Sequence, residues 1–75
     1  AAFVVQGLAE ATLTPLMERV ERDLPGVRVF SLPHLDPERR TAYRIELGAK
    51  GPAEAVTAAL QQLRDGAVAL GGAIA

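Results

Sequence analysis

Two stretches of this chain each place their apolar residues on a single helical stripe, and no other feature limits the possible folds so tightly. Leu13, Leu16, Met17, Val20 and Leu24 recur at i, i+3, i+4, i+7 and i+11, which is one face of an α-helix. Glu18, Arg19, Glu21, Arg22 and Asp23 occupy the opposite, solvated face. Val56, Ala59, Leu60, Leu63, Ala67 and Leu70 form a second stripe. A helix with one stripe needs one apolar surface to cover, and the rest of the chain supplies it as strands.

Phe3–Gln6 is β-branched and aromatic and stops at Gly7, and Val27–Leu32 has the same character. Thr41–Leu47 alternates, with Tyr43, Ile45 and Leu47 on one side and Arg44 and Glu46 on the other. Pro15 is tolerated only near the start of a helix, so the first helix is expected to begin between Glu10 and Thr12 and to stop at Pro25-Gly26. The second is expected to open at Pro52, with Gly51 as its N-cap, to be weakened by Gly66 and to end at Gly71-Gly72. Pro33–Arg40 reads as a polar connection.

The order is β-α-β-β-α. It predicts an α+β, two-layer sandwich: a three-stranded mixed sheet covered on one face by two helices, with the third strand between the first two. This is a ferredoxin-like half-pattern. Gly71–Ala75 looks too short and glycine-rich to add a fourth strand.

Seventy-five residues make a single small domain, 1–75, able to bury about 60% of its unfolded surface. The chain opens directly in a strand with no leading Met, so we expect a piece of a longer protein. Nine carboxylates against eight Lys/Arg give a net charge of −1, which argues against nucleic acid as a partner, since phosphate binders carry a basic excess. There is no cysteine, hence no disulfide framework, and a cytoplasmic location is expected. No apolar run approaches the ~20 residues of a membrane span.

The segment Gly48-Ala49-Lys50-Gly51 is a literal G-x-x-G with a lysine inside. Seven glycines in 75 residues make such a match expected roughly 0.6 times by chance, so spacing alone says little. K-homology RNA-binding modules place this motif between two helices, whereas here an alternating strand precedes it. The expected role of Gly48 and Gly51 is therefore a sharp strand-to-helix turn, with Lys50 a weak candidate for holding an anion. His34, Arg39 and Arg40 are weak ligand-binding candidates in the polar connection. Only Asp36 and Glu38 lie near His34 in sequence, which is too few partners for a metal site, and Ser31 and the threonines have no adjacent base. No catalytic residue, metal or cofactor is expected within this chain.

If Val27, Val29, Tyr43, Ile45 and Leu47 face the helices, then Phe30, Leu32 and one of Val4 and Val5, taken as Val4, face away. A water-facing strand normally carries more charge than Val27–Leu32 does. These three are the interface candidates, unless the 33–40 connection folds back over them.

Gly7-Leu8-Ala9-Glu10, Pro25-Gly26-Val27, Ser31-Leu32-Pro33 and Glu46-Leu47-Gly48 follow one another in an order spanning nearly the whole chain. In this the chain resembles the small K-homology-like domain that follows the molybdopterin-binding-like domain in the competence/damage-inducible protein A (CinA) family. The resemblance implies an accessory domain in a protein of nicotinamide-nucleotide metabolism. The family's catalysis, of ADP-ribose pyrophosphatase or nicotinamide mononucleotide deamidase type, would lie outside this piece. The partners would be neighbouring domains of the same parent chain, or a second copy in a homodimer. An ACT-like regulatory small-molecule-binding domain is the alternative, and a K-homology-like RNA-binding module a third.

Overall fold

A computed structural model describes residues 1–35 and 43–75. Its elements are β1 (Ala2–Gln6), α1 (Glu10–Asp23), β2 (Arg28–Leu35), β3 (Tyr43–Lys50), α2 (Ala53–Ala69) and β4 (Ala73–Ile74). The sheet order is β2-β3-β1-β4, and every neighbouring pair is antiparallel.

The α+β class and the central placement of β3 agree with the sequence reading, but two details of the sheet do not. Strands β1 and β2 run parallel, as the crossover through α1 requires, yet β3 separates them, so the sheet is antiparallel throughout rather than mixed. A fourth strand is also present. Gly71, at φ +97°, turns the chain off α2. Gly72 then passes where a Cβ would come within 2.8 Å of Leu8 Cδ1 and 2.9 Å of Val5 Cγ1. The two glycines judged too permissive for a strand are what deliver Ala73 beside Gln6 and Ile74 beside Val5. The Ala75 N–H donates to Val4 O at 2.9 Å. The result is the complete β-α-β-β-α-β ferredoxin-like order.

Period-2 alternation sorts the sheet. Phe3 and Val5 on β1, with Ile45, Leu47 and Ala49 on β3, point into the core beside Val27, at the entrance to β2. Pairing of Phe3 with Leu47 and Val5 with Ile45 aligns the buried rows. From above come Leu13, Leu16 and Val20 of α1 and Ala59, Leu63 and Ala67 of α2. Val56 and Leu60 pack at the margin of this core. Leu70, expected in the buried stripe, is instead 45% exposed, because the helix ends at Ala69 and Leu70 is its C-cap.

Other boundaries shift for local reasons. Strand β2 continues through Pro33 and His34, which the sequence placed in a connection. It is an edge strand, where a proline's missing N–H can face water. Pro52, not Gly51, is the N-cap of α2. Gly66 does not interrupt α2. A Cβ there would collide with the Leu16 side chain, so the glycine lets α1 and α2 approach closely at this point.

Candidate functional site

Both helices lie on one side of the sheet, and the register defines what the other side presents. Phe30, Gly48 and Ala2 form one cross-strand row, and Leu32, Glu46 and Val4 the next. His34, Arg44 and Gln6 form a third, with Arg28 paired to Lys50 at the far end. The three interface candidates, Phe30, Leu32 and Val4, thus share this face, and Leu32 is 51% exposed. Phe30 is half-buried because its ring lies over Gly48, where a Cβ would strike it. Lys50 Nζ stands 5.7 Å from the centre of the same ring, a cation–π contact.

Gly48 therefore does not serve a turn. Gly48, Ala49 and Lys50 are the last three residues of β3, and only Gly51 turns the chain, at φ +150°. A Cβ at Gly51 would come within 2.8 Å of the Gly26 carbonyl oxygen. A Gly directly opposite an aromatic residue was readable once the Phe30–Gly48 register was drawn, whereas the G-x-x-G spacing pointed elsewhere. Lys50 is exposed at the strand end, paired in register with Arg28 and with its ammonium over the Phe30 ring.

His34 is exposed and lines, with Val4, Arg44 and Glu46, a shallow hollow of about 280 Å³ on the same face. Arg39 and Arg40, and the segment proposed to cover Phe30 and Leu32, lie outside the described residues apart from Pro33–Leu35, which belong to β2. Among the described residues no three His, Cys, Asp or Glu side chains gather in a way that could hold a metal. The Thr14 and Thr57 hydroxyls donate to carbonyls one turn back, Glu10 O at 3.2 Å and Ala53 O at 3.1 Å. Among the described residues no helix is long and apolar enough to cross a membrane.

The two layers differ sharply in charge. The outer sheet face carries Arg28, Arg44 and Lys50 against Glu46, a net of +2. The helices carry Glu10, Glu18, Glu21, Asp23, Glu54 and Asp65 against Arg19, Arg22 and Arg64, a net of −3. The net charge of −1 conceals this division.

A second concavity, on the helix side, escaped the sequence reading. Arg19 and Arg22 of α1 flank a groove of about 400 Å³ whose far wall is Gly66, Ala69 and Leu70. The signal was available in the i, i+3 spacing of the arginines beside Leu16 and in the small residues three apart on α2. No protein-family model matches this sequence, and no curated protein or solved structure matches it either.

Proposed function

We propose that this chain is a non-catalytic accessory domain of a CinA-like cytoplasmic protein, and that it positions a neighbouring domain or subunit through the outer face of its sheet. The observation that carries this is an antiparallel face on which, among the described residues, no helix packs, with Phe30, Leu32 and Val4 on it and Arg28, Lys50 and Arg44 around them. Burying Leu32 on a partner is worth about 1.5–3 kcal/mol at most. The surrounding cations favour a partner surface with an acidic rim. Two copies meeting through this face would oppose two positive surfaces, which favours a different domain over a homodimer. Hydrolysis of a nucleotide, if the parent performs it, is assigned to residues outside these 75.

The chain has no cysteine, so one introduced thiol reports on the face. In the isolated domain, a thiol placed by Leu32→Cys should react with a maleimide as fast as one placed by Glu18→Cys on the exposed side of α1. In the parent protein the Leu32→Cys thiol alone should be protected, by about tenfold or more. Equal reaction rates in parent and isolated domain would refute docking through this face.

Strand β4 favours a second reading. An ACT-like regulatory domain requires the fourth strand, and Ala73–Ile74 supplies it. That reading expects the isolated domain's melting temperature to rise with a free amino acid, whereas the accessory reading expects no response.

A further inference from the structure

We infer that the groove between α1 and α2 is a binding site for a small amphipathic oxyanion, a carboxylate or phosphate monoester carried on an apolar body. The groove lies in the helix layer, so this inference does not rest on docking through the sheet. It is a half-open groove, and its volume of about 400 Å³ is room for a small organic ligand. The floor is apolar. Leu16 fills the place of the missing Gly66 side chain, and Ala69, one turn on, adds almost no bulk above it. Leu70, exposed and outside the core, forms part of the wall, a leucine that the packing of the domain itself does not use.

Arg19 and Arg22 stand one turn apart at the rim, and the described lining contains no carboxylate to neutralise them. Paired guanidiniums present planar donor forks that match carboxylate or phosphate oxygens. The competing role would be to cap α2, whose last turn carries no basic residue. That role is already filled. The N–H groups of Leu70, Gly71 and Gly72 donate to the carbonyls of Gly66, Ala67 and Val68. Both arginines are exposed and line the groove, on the solvated side of α1 that also carries Glu18, Glu21 and Asp23.

The test is a titration of the isolated domain with phenyl phosphate, phenylacetate, inorganic phosphate and neutral 2-phenylethanol, followed by ¹H–¹⁵N correlation spectra. We expect saturable shifts of the Gly66, Ala69 and Leu70 amides and of the Arg19 and Arg22 Nε–H groups. At least one aromatic anion should bind about tenfold or more tightly than the alcohol, the margin of one charge-assisted hydrogen bond. It should also bind more tightly than inorganic phosphate. Which anion binds better distinguishes a carboxylate from a phosphate ligand. The Arg19→Gln/Arg22→Gln double variant should keep the wild-type melting temperature and lose the anion's advantage. The inference is overturned if no saturable shift appears up to millimolar ligand, if the alcohol or inorganic phosphate binds as tightly as both aromatic anions, or if the double variant retains the preference. A double variant that melts markedly lower would also overturn it, because the arginines would then be structural.

Discussion

Gly66 sits in the interior of α2, where alanine would ordinarily stabilise the helix by about 1 kcal/mol. The tertiary contact opposes that gain. A Cβ at this position would lie 2.9 Å from Leu16 Cδ2 and 3.1 Å from Cγ, and closer still to Cδ1. The whole branch is in the way, not one flexible tip, and Leu16 is itself 5% exposed with core on its other sides. Overpacking of this kind costs about 1–3 kcal/mol. Gly66→Ala should therefore be neutral to destabilising by up to about 2 kcal/mol, with the sign set by packing rather than propensity. Leu16→Val withdraws both δ methyls at a cost of about 0.5–1.5 kcal/mol. In that background only a γ carbon remains close to the new Cβ, so Gly66→Ala should recover most of its gain of about 1 kcal/mol. The cycle should then show a coupling of about 1–3 kcal/mol between the two sites. Urea unfolding followed by far-UV circular dichroism measures it, and melts provide a check, since 1 kcal/mol moves Tm by about 4–8 °C in a domain of this size. If Gly66→Ala stabilises both backgrounds equally, the close helix approach is not what requires the glycine, and the reasoning fails.

Gly51→Ala should cost about 1–3 kcal/mol in the same urea assay, because φ +150° is strained for alanine and the Gly26 carbonyl blocks its Cβ. Lys50→Ala should cost no more than about 1 kcal/mol, the value of an exposed cation–π contact with Phe30. A larger loss would mean that Lys50 does more than rest on the ring. Fluorescence anisotropy with single-stranded oligonucleotides at physiological salt should give no dissociation constant tighter than about 10⁻⁶ M. A tighter value would turn the basic outer face into a nucleic-acid surface.

What the sequence disclosed was whatever depends on local period. The two helical stripes and the alternation of Tyr43–Leu47 placed α1, α2 and β3, and alternation put Phe30 and Leu32 on one face while leaving the choice between Val4 and Val5 to the register. What it concealed depends on neighbours that only the fold supplies. Pro33 and His34 look like loop until β2 proves to be an edge, where an absent N–H costs no ladder bond. Ala73–Ile74 is too short to register as a strand by itself, and it forms because Gly72 lets the chain pass within contact of Leu8 and Val5. In sequence Gly48 reads as part of a turn and Gly66 as a weak point of a helix. Both are instead absences of volume, filled by Phe30 in one case and by Leu16 in the other. A one-dimensional reading sees a glycine but not the side chain that occupies its place.

Charge was the least legible property, although every charged residue was in view. The total of −1 argued for an electrostatically unremarkable surface, because a sum ignores position. Folding applies two different periods to the same chain. A period of two lifts Arg28, Arg44 and Lys50 to the outer sheet face with only Glu46 among them, while a period of 3.6 turns six carboxylates outward from the helices. Two surfaces of opposite sign result, separated by the thickness of a two-layer sandwich, and exposed charges that far apart are largely screened from each other at physiological salt. Each face therefore presents its own sign. The sheet face suits an acidic-rimmed surface. The helix face is acidic on balance, and at its groove Arg19 and Arg22 stand together over an apolar floor.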